Sequence, residues 1–244
     1  TLLPITEQKK SGSGTNQKVR RVGSYLYYTE SETVAFTNGP TAASPTWTDF
    51  TARAGYSITD LHSDSTHIFL AFGSGAAIAR STINTSSIDG AWPSSGTQAA
   101  DLIRVASGRL IGALGANIFE IGANGAKLSS SLDYTPALSS TTWVSVCGGP
   151  SGIYAAANSD NSGTIYHIDV NSTDGTLQTP VIGGQLPHGE EINEISAYGG
   201  VLLIATSVGL RTAAIDTSSN AVSIGPVIDD GGEAFCLETD SRFV

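Results

Sequence analysis

An all-β fold is what this 244-residue sequence predicts, on three observations. A short apolar run of β-type residues recurs, centred near Leu26, Phe69, Ile111, Tyr154, Leu203 and Val244, at steps of 43, 42, 43, 49 and 41 residues. The runs are bounded by Gly, Ser, Asn and Asp, the residues of tight turns. No segment keeps a 3.6-residue apolar period over ten residues, so almost no helix is expected. A unit of about 43 residues holds four short strands with their turns, which is the repeat of a β-propeller blade. A β-solenoid is the runner-up architecture, but its repeats are shorter, near 20–25 residues.

Residues 1–18 read as an extended N-terminal arm with a flexible joint at the SGSG stretch. The first blade, about 19–56, opens with VRRVGSYLYYTE, two strands meeting at Gly23-Ser24, and continues in TVAFTNG. The second, about 57–99, holds ITDLHSD, HIFLAFG and AIARSTI. The third, about 100–142, holds DLIRVASG, RLIGALG and IFEIGANG. WVSVCGG, IYAAANS and TIYHIDV make the fourth, about 143–190. INEISAYGG, VLLIATS and LRTAAID make the fifth, about 191–233, and a partial sixth occupies 234–244. The second strand of each unit is a nearly continuous apolar run, as expected when both faces are covered. Third strands end at Ile83, Ile121, Ile168 and Ile215. Pro180 and Pro226 assign the fourth strands to sheet edges, where a missing N–H does no harm. Five blades and a fragment do not close a ring, and no Met is present, so the chain is expected to be part of a longer one.

Charged residues make up only 14% of the chain, and the net charge is −10. The basic residues gather at the start: Lys9, Lys10, Lys18, Arg20 and Arg21 face only Glu7 within residues 1–21. The remainder is strongly acidic, which argues against nucleic acid as a partner, because phosphate contacts need Lys and Arg. The basic arm reads either as a dock for an acidic partner or as a solvated N-terminal tail. No apolar run approaches the roughly 20 residues of a membrane span, so no membrane insertion is expected. Cys147 and Cys236 sit one residue out of register relative to the runs that follow them, on opposite faces of equivalent strands, so free thiols are expected.

No catalytic motif is complete. Ser151 in GGPSGI lacks the second Gly of G-x-S-x-G. His62, His67, His167 and His188 are scattered without metal-ligand spacing. The oxygen-rich segments 160–163 and 169–175 miss the calcium-loop pattern and its closing Glu, and read as Asx turns. No catalytic residue, metal or cofactor is assigned. Carboxylates recur where first strands begin, at Asp60, Asp101, Glu191, Glu194 and Glu233. They read as polar punctuation, with an acidic ring as the alternative. Trp47, Trp92 and Trp143 recur at near-repeat spacing and read as packing between blades, with sugar platforms as the alternative.

The stretch INEISAYGGVLLIATSVGLRTAAID (192–216), followed by SIGPVIDDGGEAFCLETDSRFV (223–244), resembles minor tail proteins of long-tailed phages infecting actinobacteria. Ile195, Ala197, Tyr198, Gly199, Gly200, Gly209, Leu210, Arg211, Cys236, Leu237, Arg242, Phe243 and Val244 carry the likeness, which weakens over 57–190. These positions are structural and bring no catalytic residues. The resemblance implies a non-enzymatic structural component of a virion tail tip, extracellular, homo-oligomeric in the tail and bound to other phage tail proteins. It also implies a role in host attachment through cell-wall glycan. A carbohydrate-binding propeller and a degenerate glycan hydrolase or lyase are the alternatives.

Overall fold

The computed structural model describes residues 17–39, 45–94, 98–138, 140–160, 162–229 and 231–237. Every regular element among them is a β-strand, as the sequence predicts. The chain divides into two compact units, Thr1–Ile103 and Arg104–Val244.

In the first unit β1 (Lys18–Val22), β2 (Tyr25–Glu30), β3 (Thr33–Thr37) and β4 (Thr48–Thr51) form an antiparallel meander in chain order. Val22 pairs with Tyr25 across the Gly23-Ser24 turn. Gly23 adopts φ +60° there, a conformation that a side chain would disfavour. β2 buries Tyr27 and Thr29 on one face, and Tyr27 stacks on Phe36 of β3 with ring centroids 5.3 Å apart.

The second sheet departs from the four-strand pattern. β5 (Asp60–Ser63), β6 (His67–Ala71) and β8 (Ala79–Thr82) pair in that order, while β7 (Gly73–Ala77) pairs with β9 (Ala99–Ala100). Residues 87–89 close the outer edge of β8 without a ladder. The Asp89 N–H donates to Arg80 O at 2.8 Å, and Ser81 Oγ–H donates to Ser87 O at 2.7 Å. The Arg80 guanidinium reaches Asp89 Oδ2 at 2.9 and 2.8 Å. Pro93, four residues on, has no N–H to offer a ladder. The core of this unit joins Val22, Tyr27, Val34 and Phe36 to Ile58, Ile68, Leu70 and Phe72. Burying each such side chain contributes about 1.5–3 kcal/mol.

Three further meanders follow. They are β10 (Leu102–Ala106) to β11 (Arg109–Leu114), β12 (Asn117–Ile121) and β13 (Asp133–Tyr134); β14 (Thr142–Gly149) to β15 (Gly152–Ser159), β16 (Ser162–Ile168) and β17 (Val181–Gln185); and β18 (Ile192–Tyr198) to β19 (Val201–Thr206), β20 (Gly209–Ile215) and β21 (Val222–Asp229). Their second strands are buried at consecutive residues, Ile153–Ala157 in β15 and Leu202–Thr206 in β19, so both faces are covered. β12, β16 and β20 end at Ile121, Ile168 and Ile215. Pro180 directly precedes β17, and Pro226 falls where the β20–β21 register shifts between Arg211 and Ala213. Both flank or occupy the outermost strand of a sheet, where no ladder partner is lost. In this unit Tyr154, Ala156 and Ile165 pack with Ile192, Ile195, Leu202 and Ile204.

The N-terminal arm lies outside the described residues up to residue 16, as do residues 238–244 of the partial sixth blade. The start of that fragment runs beside β19, where the Ala234 N–H donates to Thr206 O at 3.0 Å. No helix among the described residues is long and apolar enough to cross a membrane.

Candidate functional site

Four of the five strand-start carboxylates are occupied by the fold. Asp60 is buried, and its Oδ2 accepts the Ile103 N–H at 2.8 Å. Glu194 Oε2 accepts the Leu237 N–H at 2.8 Å. Both bonds span 43 residues, one repeat of the sequence. Each carboxylate therefore ties the first strand of its repeat to the backbone of the next. Glu233 takes the Asn193 side-chain amide at 3.0 Å, and Glu191 is exposed. Asp101 is exposed and already engaged. Among the described residues no three His, Cys, Asp or Glu side chains gather as metal ligands would.

Trp92 and Trp143 are buried in packing. Trp92 lies against Phe69 and beneath the Arg80 guanidinium, 5.3 Å from its ring centroid. Trp143 donates Nε1–H to Ala116 O at 2.9 Å and rests on Tyr166. Trp47 is half-buried. His62 is buried with Nδ1 3.2 Å from Ser63 O. His167 is buried, with Nε2 3.1 Å from the Ser151 carbonyl, so it meets the backbone of Ser151 and not its hydroxyl. Ser151 Oγ instead lies 2.7 Å from the Tyr154 hydroxyl. His188 is exposed. Asp169, Asn171 and Asp174 each accept a backbone N–H one or two residues on, in short turns as read. Asn161 lies outside the described residues. Both cysteines are free; burial pushes the Cys147 thiol up to about 12, against the pull of the Ala197 N–H.

The first unit carries a feature that none of these residues reaches. Two strand turns, β1–β2 and β5–β6, border an open cleft of about 470 Å³ lined by Arg21, Val22, Gly23, Ser24, Tyr25, Ser63, Asp64, Ser65 and Ile83. That volume falls within the roughly 300–1,000 Å³ of small-molecule sites. The Ser24, Tyr25, Ser63 and Ser65 hydroxyls make no hydrogen bond with any described residue.

The walls are fixed from behind. Tyr25 packs against Tyr27 and Phe36 at 6.4 and 6.3 Å between centroids. Asp64 Oδ1 accepts the Thr66 N–H at 2.6 Å, the His67 N–H at 2.6 Å and the Thr66 hydroxyl at 2.9 Å. Burial works to raise the Asp64 pKa, but these three bonds and nearby His67 outweigh it and hold the carboxyl below its ordinary value. Asp64 is thus an anion at neutral pH with Oδ2 to spare. Ile83 is pinned by its N–H on Thr66 O at 2.9 Å, and its neighbour Asn84 by an N–H on the Tyr27 hydroxyl at 2.8 Å. The cleft offers a guanidinium, a carboxylate, an aromatic ring and four hydroxyls without a partner among the described residues.

No protein-family model matches the chain, and no curated protein does. Solved structures do. A protein of Bacteroides uniformis assigned as a 6-phosphogluconolactonase superposes with a TM-score of 0.62 at 14% identity, over 89% of this chain and 71% of the other. The PQQ-bound aldose sugar dehydrogenase of Streptomyces coelicolor superposes with a TM-score of 0.60 at 10% identity, over 91% and 84%. A luciferin-regenerating enzyme gives 0.56 at 11%, over 90% and 78%. These are β-propeller-like folds, so the predicted fold class stands.

The functional expectation does not stand. A non-enzymatic structural component of a phage tail tip was inferred, and these neighbours of the fold are enzymes. The physical reason lies in the residues that suggested the likeness. Ile195, Ala197 and Tyr198 are in β18, Gly199 and Gly200 form its turn, and Gly209, Leu210 and Arg211 open β20. Each is what a four-stranded blade requires, so the likeness reports the blade and not the job. Arg242, Phe243 and Val244 lie outside the described residues.

Proposed function

We propose that this protein is a propeller enzyme acting on a small polyhydroxylated substrate, a sugar or a sugar derivative, seated in the cleft between the β1–β2 and β5–β6 turns. The observation that carries the reading is the set of four hydroxyls at Ser24, Tyr25, Ser63 and Ser65, unpaired with any described residue around a cleft of about 470 Å³. Hydroxyls both donate and accept, and so match a ligand that does the same at every carbon. Asp64 adds an acceptor for a substrate hydroxyl. The Tyr25 ring supplies an amphipathic face for the C–H side of a pyranose. The sugar dehydrogenase and the assigned phosphogluconolactonase among the structural neighbours support this substrate class.

The test is a turnover assay. Aldoses, aldonolactones and their phosphorylated forms are incubated with the protein, with and without redox acceptors, and products are followed by NMR. Consumption of at least one sugar class is expected, and Ser63→Ala combined with Ser65→Ala should reduce it about tenfold through loss of two hydrogen bonds. Consumption unchanged in the double variant would move the site elsewhere, and no consumption of any sugar would refute the reading.

A further inference from the structure

We infer that the substrate carries an acidic group, a carboxylate or phosphate on the sugar, and that Arg21 is the residue that receives it. The inference rests on the cleft being the sugar site.

Arg21 is set apart from other arginines of this chain. Arg80, Arg109 and Arg211 each spend their guanidinium on a carboxylate, those of Asp89, Glu120 and Glu190, at 2.7–2.8 Å. Arg21 makes one bond, Nε–H to Gly23 O at 3.3 Å, which folds the side chain back over its own turn. Its two terminal nitrogens have no partner among the described residues. Arg21 and Asp64 line the same cleft without pairing with each other. Each remains available to a third party. A guanidinium with both terminal nitrogens open is a two-pronged receptor for a planar carboxylate or a phosphate.

The charge distribution agrees. The chain is acidic, but unevenly so. Residues 1–103 hold seven Lys and Arg against eight Asp and Glu, a net −1, whereas residues 104–244 hold five against fourteen, a net −9. The cleft belongs to the nearly neutral unit, and Lys18 and Arg20 stand on the same strand as Arg21. Asp64 is the one carboxylate of the lining. Its Oδ1 is saturated by three donors, which spreads its charge into the turn and leaves Oδ2 for a hydroxyl. A ligand with an acid at one end and hydroxyls along its length satisfies both sides; a plain anion or a plain sugar satisfies one.

Isothermal titration of the full chain with gluconate, glucose 6-phosphate, glucose and inorganic phosphate tests this. Gluconate or glucose 6-phosphate should bind about tenfold more tightly than glucose, as a charge-assisted pair of hydrogen bonds implies. Added salt should weaken the acids and leave glucose unchanged. Arg21→Gln should abolish the preference for the acid over glucose, and Arg21→Lys should retain part of it. A thermal melt of each variant confirms that the exposed substitution leaves the fold intact. Equal binding of glucose and gluconate overturns the inference and leaves the sugar site standing. Binding of inorganic phosphate as tight as that of the sugar acids overturns it in favour of a bare anion site. Failure of every ligand refutes the sugar site and the inference together.

Discussion

At the scale of single residues, the cleft depends on side chains that never touch its contents. The Tyr27 hydroxyl accepts the Asn84 N–H, which fixes the turn that presents Ile83. Tyr27→Phe removes only that acceptor and leaves a partly buried N–H without a partner. The expected cost is about 1–2 kcal/mol, read as a lower denaturation midpoint, with weaker ligand binding as Ile83 loosens. Unchanged stability would show that the bond is dispensable. Tyr27 was legible as a β-strand aromatic, but its role was not, since its partner lies 57 residues away. The cleft residues were missed for a related reason. What marks the four hydroxyls is that they find no partner among the described residues, a property that exists only once the chain is folded. One signal was present in the sequence: the β5–β6 turn reads Asp64-Ser65-Thr66 where equivalent turns read Ser107-Gly108 or Gly199-Gly200. Polar side chains stand there where glycine serves the turn elsewhere.

At the scale of the element, the 43-residue period has a physical counterpart in the carboxylate clamps. Asp60 to Ile103 and Glu194 to Leu237 both join a strand to the backbone one repeat later. Asp60→Ala should cost about 1–3 kcal/mol, because it removes the acceptor 2.8 Å from the buried Ile103 N–H, while Asp60→Asn keeps an acceptor and should cost less. Chemical denaturation of both variants decides it; equal losses would assign the cost to packing and not to the bond. The sequence showed these carboxylates at strand starts but not what they bonded, because a partner one repeat away follows only from the pairing of blades. Strand order and turns were legible in the four four-stranded sheets, where apolar second strands and Gly-bounded turns agree with the fold. The second sheet was not, because Asp89 closes the edge of β8 through Arg80 by side-chain bonds that leave no strand pattern.

At the scale of the molecule, low charge and a few well-placed pairs set the response to acid. Arg211 holds Glu190 by two bonds of 2.7 Å, which outweigh the burial that would raise its pKa, and the carboxyl falls below its ordinary value. Asp216 is lowered to about 2 by the Ser219 and Ser218 hydroxyls and the Ser218 N–H. Asp133 is lowered by Lys127 and Asn117. Each group titrates lower in the folded chain than in the unfolded one, so its stabilisation is complete above the usual carboxylate range near pH 4 and is lost as the pH falls toward about 2. Unfolding free energy measured from pH 6 to about 2 should be level at first and then decline through that window. A level profile throughout would mean that these pairs do not hold the fold.

The position of a polyhydroxylated ligand on the molecule decides the function proposed for it. The most direct measurement is a map of backbone amide shifts on titrating the isotopically labelled protein with gluconate. The expected result is saturable movement at Gly23, Ser24, Tyr25, Ser63, Asp64 and Ser65, with β14–β21 unmoved. Saturable movement confined to other residues, or no movement at any concentration, would contradict it.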